Sequence, residues 1–293
     1  NAMLFYFSYK YVKTPGVKAF YYSHNNKLEI IWTAVPAFVL AIIIILGLRS
    51  WNELTAMSPK NAIVVELYAK QFDWTARYSG IDNKLGLHDY KLTLGNNELG
   101  IVTTNTIDSA ITDMENGATG LNSIKDKLND ATLIFSDSAV KAMTLEISRK
   151  ERLLTLMKQM QAHHDKKYDK IAWNDFIQKD TLYLCVDQPY EFKLRSRDII
   201  HSAYFPHFRA QMNCVPGAAT RMKFTPNLTT KEMRKKMNND DFHFVLMCNK
   251  ICGGAHYKMK MMVVVLNKKE YKNWEKNKVK NGTFKKSYFP EKS

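Results

Sequence analysis

Cysteine is scarce in this chain: there are four in 293 residues. They do not form the two separated Cys-x-x-Cys or His-x-x-x-His arms from which a structural zinc site is usually built. Acid is short as well. The 28 Asp and Glu face 43 Lys and Arg, leaving a net charge of +15. Basic runs can mark nucleic-acid binding. Here they gather in a tail from Asn267 onward, with Tyr271 and Trp274 interspersed. For an exported tail the better reading is a solvated helix with a loose end, set against anionic lipid headgroups, and no nucleic acid is expected. No secretory signal peptide is visible at the start. Charge is missing altogether from Ile30 to Leu48, a stretch about long enough to cross a bilayer. Ile42 to Ile45 leave it no polar face, which excludes an ordinary amphipathic helix. Pro36 lies inside the span, where a membrane helix tolerates it if neighbours satisfy the freed carbonyl. Trp32 and Trp51 bracket the span like an aromatic belt, and Lys10, Lys13, Lys18 and Lys27 precede it. The positive-inside rule puts those lysines in the cytoplasm and everything after Trp51 outside.

What the chain does have is concentrated in one loop. It reads Cys248-Asn-Lys-Ile-Cys252-Gly-Gly-Ala-His256-Tyr-Lys-Met259. Thiolates and thioethers are soft ligands, which select copper, zinc or iron–sulfur iron over magnesium or calcium. Gly253 and Gly254 let the backbone turn sharply. Strand-like runs from Phe242 to Met247 and from Met261 to Leu266 frame the loop. A mononuclear electron-transfer copper uses one Cys, two His and a weak Met. This loop has that set less one His, plus an extra Cys, and a second thiolate invites a second copper. The missing imidazole is expected from Asp198-Ile-Ile-His201-Ser, in a turn after the strand Tyr190 to Leu194. His207 is a rival without that context.

These segments resemble subunit II of haem–copper cytochrome c oxidases. That family carries D-x-x-H-S, then x-V-P-G (here Cys214-Val-Pro-Gly217), then C-x-E-x-C-G-x-x-H-x-x-M. Upstream it has an aromatic-rich strand, matched by Gln71-Phe72-Asp-Trp74, and a transmembrane helix before that. The resemblance implies a membrane-anchored, all-β fold: a cupredoxin-like Greek-key β-barrel holding a dinuclear copper centre. His201, Cys248, Cys252, His256 and Met259 match its side-chain ligands, and Lys250 matches the position whose backbone carbonyl completes the set. Phe72 and Trp74 match the aromatics through which electrons come in, with Phe72 where the family has an exposed Trp. The family usually has Glu at Lys250, and that carboxylate helps hold magnesium against subunit I. Lysine cannot do so, and no magnesium is expected here.

The chain then divides as follows. Residues 1–27 are the end of a first membrane segment and a cytoplasmic loop, and residues 28–51 are the transmembrane helix. The first part of the cupredoxin domain covers 60–104 and the remainder, with the copper site, covers 173–275. Between them 105–172 is polar, and Met143, Ile147, Leu154 and Met157 recur at helical spacing, so a mainly helical insertion is expected. Ser136 or Ser138 can cap it. His163-His164-Asp165 is expected on a solvated face. Residues 276–293 are a basic tail. Cys185 and Cys214 are expected as separate buried thiols. Met212, Met247 and Met262 are expected in the core.

The function implied is a respiratory electron relay in a bacterial inner membrane, with its copper domain on the periplasmic side. Electrons pass from a c-type cytochrome to the haem of subunit I, where oxygen is reduced; no catalytic residue is expected in this chain. The positive charge fits a donor held in a larger supercomplex, or an acidic cytochrome. Two alternatives stand beside this. A quinol-oxidase-type subunit II shares the fold but lacks the thiol pair. A stand-alone membrane-anchored copper carrier works without subunit I.

Overall fold

The computed structural model describes residues 1–18, 20–93 and 97–281. The basic tail lies outside them from residue 282 onward. The chain separates into two compact units, Asn1–Asn52 and Glu53–Ser293.

The first unit holds helix α1 (Ala2–Lys10) and most of α2 (Asn26–Thr55). Neither buries a residue. At about 1.5 Å per residue, the 30 residues of α2 are long and apolar enough to cross a membrane.

The second unit is built on two five-stranded mixed sheets. In the first, β1 (Ile63–Lys70) lies between β2 (Asp73–Tyr78) and β5 (Tyr190–Ser196). Beyond these sit β3 (Phe176–Lys179) and β8 (Thr220–Phe224). The second sheet runs β4 (Thr181–Cys185), β10 (Lys260–Leu266), β9 (Phe244–Cys248), β6 (His201–Phe205) and β7 (Ala210–Cys214). β1 and β2 form a tight hairpin that turns at Gln71 and Phe72, so those two residues of the aromatic segment lie in a turn rather than a strand.

Side chains alternate across a strand, and β1 shows what each face meets. Val65, Leu67 and Ala69 point into the main core with Trp74, Phe192, Leu246 and Val263. Glu66 and Tyr68 point the other way, yet both are buried. Leu99, Ile101 and Ala172 pack with Tyr68 and cover that outer face.

Residues 104–172 form helices α3 (Thr104–Asn116), α4 (Leu121–Asn129), α5 (Asp137–His163) and α6 (Lys167–Ala172). Thr103 and Thr106 form a reciprocal cap on α3, and the Ser136 hydroxyl accepts from the Ala139 N–H at the start of α5. These caps satisfy amides that the first turn leaves unpaired. Ile107, Ile111, Met114, Leu154 and Met157 give the helices a small core of their own.

Three expectations need correction. His201 does not sit in a turn; it is the first residue of β6. Met262 is 45% exposed rather than in the core, because it faces outward on β10. The segment after Asn267 is not wholly solvated. It forms α8 (Lys268–Asn281), which buries Tyr271. Trp274 on the same helix lies with ring centroids 5.2 Å from Tyr78, 5.5 Å from Phe176 and 4.8 Å from Tyr183. Aromatic contacts of this kind are each worth about 1 kcal/mol beyond burial, which is reason enough for the helix to dock.

Candidate metal centre

Three backbone elements converge at one end of the β-domain: the β1–β2 turn, the start of β6 with the residues before it, and the loop between β9 and β10. Strand pairing sets the arrangement. Ala203 on β6 is opposite Cys248, the last residue of β9, and His201 is opposite Cys214 on β7. In an antiparallel sheet, opposite residues share a face, so His201 and Cys248 point the same way. The Cys248 N–H donates to the Met259 carbonyl and the Asn249 N–H to the Ser202 carbonyl. The loop is thus closed at its base and pinned to β6.

The ligand-type atoms gather around the two sulfurs, which are 3.9 Å apart. Cys248 Sγ lies 3.8 Å from His201 Nδ1 and 3.2 Å from the Lys250 carbonyl oxygen. Cys252 Sγ lies 3.4 Å from His256 Nδ1 and 3.7 Å from Met259 Sδ. Each thiol therefore has one imidazole and one weaker donor beside it. His201, Cys248, Cys252 and Met259 are buried, while His256 is half-buried. Among the described residues, His201, Cys248 and Cys252 are the trio of His, Cys or acidic side chains able to hold a metal ion, their donor atoms lying within 4.8 Å of one another.

The imidazole of His201 is oriented from behind. Its Nε2 is 2.7 Å from Asp198 Oδ1. The carboxylate can only accept, so Nε2 carries the proton and Nδ1 is left free toward the sulfurs, the way a metal-ligating histidine is usually held. Asp198 itself accepts from the Ile199 and Gln71 amides. Burial alone would raise its pKa, but the His201 hydrogen bond and these amides hold the carboxyl below its usual range. Burial and the neighbouring Cys248 push the Cys252 thiol up to about 11. The thiol therefore keeps its proton near neutral pH.

Trp74 is 1% exposed, with its ring centroid 6.4 Å from that of His201 and its indole N–H 3.4 Å from the Met259 carbonyl oxygen. Phe72 is half-buried, and its ring lies against Gly253. His207 takes no part. Its ring packs edge-on against Phe242 and Phe244 at 5.1 and 5.6 Å. His164 is committed elsewhere: its Nε2 is 2.6 Å from Asp169, whose carboxylate also accepts from Thr104. Cys185 and Cys214 are free and buried, and burial pushes Cys214 up to about 12.

Sequence reasoning did not single out Gln71. Its side-chain amide donates to the Cys252 carbonyl at 2.6 Å, and its backbone N–H to Asp198 Oδ2 at 2.7 Å. No motif marks a glutamine that acts 181 residues away. The role of Asp198 did carry a signal, since it stands three residues before His201.

Parts of this chain are similar to known proteins. The family model for the cytochrome C oxidase subunit II transmembrane domain matches residues 2–50. The alternative cytochrome c oxidase subunit 2 of Bradyrhizobium diazoefficiens is 24% identical over 270 residues, covering 92% of this chain and 70% of that protein. The cytochrome c oxidase subunit 2 of Corynebacterium glutamicum is 23% identical over 250 residues, covering 85% of this chain and 57% of that protein. This chain therefore spans less than two thirds of that second relative. Among solved structures, the periplasmic domain of cytochrome oxidase subunit II from Bradyrhizobium japonicum aligns over 78% of this chain and all of its own, with a TM-score of 0.38 and 14% identity.

Proposed function

We propose that this chain is a subunit II of the cytochrome c oxidases and that its loop cluster holds a dinuclear copper centre that relays electrons to an oxygen-reducing subunit I. The ligands are His201, Cys248, Cys252, His256, Met259 and the carbonyl of Lys250. The observation that carries this reading is the pairing of donors: two sulfurs 3.9 Å apart, each with its own imidazole nitrogen. Such a donor set would suit two soft metals better than one. Copper held by these residues would supply a one-electron couple.

The residues of this chain supply the rest. Asp198 fixes the His201 tautomer, and the β6–β9 pairing holds two ligands on rigid strands, which limits movement when charge changes. Trp74 fills the space under the cluster and keeps water from that side. Phe72 lies over the loop at the end of the β1–β2 hairpin, on the path by which electrons from a donor come in. Lys250 carries no carboxylate, so a magnesium ion is not held at this position.

The donor we propose is a c-type cytochrome, with the domain on the periplasmic side of a bacterial inner membrane and α2 as its anchor. Ile251 and Tyr257, 86% and 74% exposed on the ligand loop, offer apolar contact beside the cluster. Residues 248–262 contain no acid but do contain Lys250, Lys258 and Lys260. A basic donor would be repelled there, which favours an acidic cytochrome or one fixed in a supercomplex. The exposed Ile134, Val140 and Leu145 of the helical insertion suit contact with a neighbouring subunit of such an assembly. A fixed donor gives electron-transfer rates that hardly change with salt, whereas a steered, diffusing one slows steeply.

Metal analysis with electron paramagnetic resonance on the whole chain tests the copper reading. Two coppers per chain with one unpaired electron spread over both are expected. A single copper, or zinc, overturns it.

A further inference from the structure

We propose that Gln71 is a positioning residue that holds the Cys252 end of the ligand loop in place before any metal arrives. Cys248 needs no such help, since it sits on β9 with its N–H bonded to Met259. Cys252 lies beyond the strand, in a stretch with two exposed glycines. The backbone of residues 250–255 is served inside the loop by the Cys248 thiol on Lys250, the His256 N–H on Gly253 and the Lys258 N–H on Ala255. Among the described residues, one hydrogen bond reaches that stretch from outside the loop: Gln71 Nε2 to the Cys252 carbonyl, at 2.6 Å. The loop also rests directly on the turn that carries Gln71. A Cβ placed on Gly253 would come within 3.0 Å of both Gln71 Nε2 and the Phe72 ring.

The same residue reaches the other half of the cluster. Its backbone N–H donates to Asp198 Oδ2, while Asp198 Oδ1 accepts from His201. Gln71 therefore bonds directly to the loop bearing Cys252 and, through one carboxylate, to His201. A bound metal would join these two halves itself. Without metal, the Gln71 side chain is what fixes the spacing of one half against the other.

The test is Gln71→Met, which keeps the length and removes the amide. Gln71 is exposed, so the fold does not depend on it. The readout is the alkylation rate of each thiol in the metal-free chain, resolved by peptide mass spectrometry. Cys252 is 1% exposed and reacts only when the loop opens. A neutral hydrogen bond contributes on the order of 1 kcal/mol net, so Cys252 should react about fivefold faster in the variant. Cys185 and Cys214, buried in the framework, should keep their rates. An unchanged Cys252 rate overturns the proposal, and so does an equal rise at all four thiols, which would mean general loosening. A second arm rests on the copper reading: copper release to a chelator should also quicken about fivefold. A wild-type chain that takes up no copper overturns that reading and leaves the thiol rates to decide this one.

Discussion

Two buried polar clusters adjoin the β1–β2 hairpin, and they are built on opposite terms. At its turn, thiol, imidazole and thioether donors converge. On its outer face, beneath residues 99–101 and Ala172, full charges compensate one another. Arg77 is fully buried; its Nε donates to Asp175 at 2.9 Å, its Nη1 to Glu66 at 3.3 Å and its Nη2 to the Gly86 carbonyl at 3.0 Å. Arg195 pairs with the other oxygen of Glu66. The Gly86 N–H donates to Asp175 Oδ2, but Asp175 Oδ1 has no hydrogen-bond partner among the described residues. On the proposed reading the first cluster is completed from outside the chain, whereas the second is built from the chain's own charges. The two should therefore break independently, one losing metal and the other losing the fold.

The largest effect is expected at the loop. Cys252→Ser removes one of the two central sulfurs and should abolish the shared-valence copper signal outright. Serine is smaller and hydrogen-bonds in place, so the metal-free chain should unfold within about 1 kcal/mol of wild type. Persistence of the shared signal in electron paramagnetic resonance would contradict the assignment of Cys252 as a ligand.

The reverse pattern is expected from Arg77→Met. Removing one member of a buried charge network leaves the others unpaired, at a cost of roughly 3–5 kcal/mol. Urea unfolding followed by tryptophan fluorescence should show that loss. The copper spectrum of the folded variant should not change, because no atom of the network touches a ligand. A spectrum that shifts with Arg77→Met would show the clusters to be coupled through the hairpin.

The network also divides by pH. Burial would raise Glu66, but Arg195 and Arg77 outweigh it and hold the carboxyl at about 2, against an ordinary 4.5. Its stabilisation is present above pH 4.5 and is lost as pH falls toward 2. Asp175 goes the other way: burial, with Glu66 adding to it, outweighs Arg77 and lifts the carboxyl from 3.8 to about 6. The folded state then holds that proton more tightly between those values, so stability falls as pH rises through the window. Each limb is on the order of 3 kcal/mol, and wild type should be most stable near pH 4 to 5. Asp175→Asn should remove the decline between pH 4 and 6 and keep the acid limb. Unfolding curves of the two proteins across pH 3 to 7 measure this. Equal slopes for both above pH 4 would assign the proton elsewhere.

How far the sequence could foretell these clusters follows from their spacing. Four of the five side-chain donors at the loop lie between residues 248 and 259, in a pattern whose chemistry reads directly from residue types. The apolar run of α2 was equally plain. The Arg77 network draws on residues 66, 77, 175 and 195, which meet only because β1 pairs with both β2 and β5. Nothing in a linear pattern marks a charged residue on a strand as buried when a distant segment covers it. Trp274 was misread for a related reason. Its helix is mostly lysine and asparagine, and the aromatic cleft formed by Tyr78, Phe176 and Tyr183 exists only after the sheets have closed.

The smallest effect is expected at Lys250, where the two ways of building a cluster meet in one residue. Its side chain is exposed, while its carbonyl oxygen lies 3.2 Å from Cys248 Sγ. A carbonyl donor is indifferent to the side chain behind it, provided the loop keeps its course. The loop's course is set by the Cys248–Met259 closure and the Gln71 contact, and neither involves the Lys250 side chain. Lys250→Ala should leave the visible spectrum nearly unchanged and shift stability by less than about 0.5 kcal/mol, as surface substitutions usually do. It should also create no magnesium or manganese site, since alanine supplies no oxygen. Lys250→Glu is the sharper variant. It adds one carboxylate beside the cluster, so any divalent ion that appears in the assembled complex must be held by that side chain. Loss of copper in Lys250→Ala would show that the side chain, not the carbonyl, matters here, and would undo the alignment on which the ligand set rests.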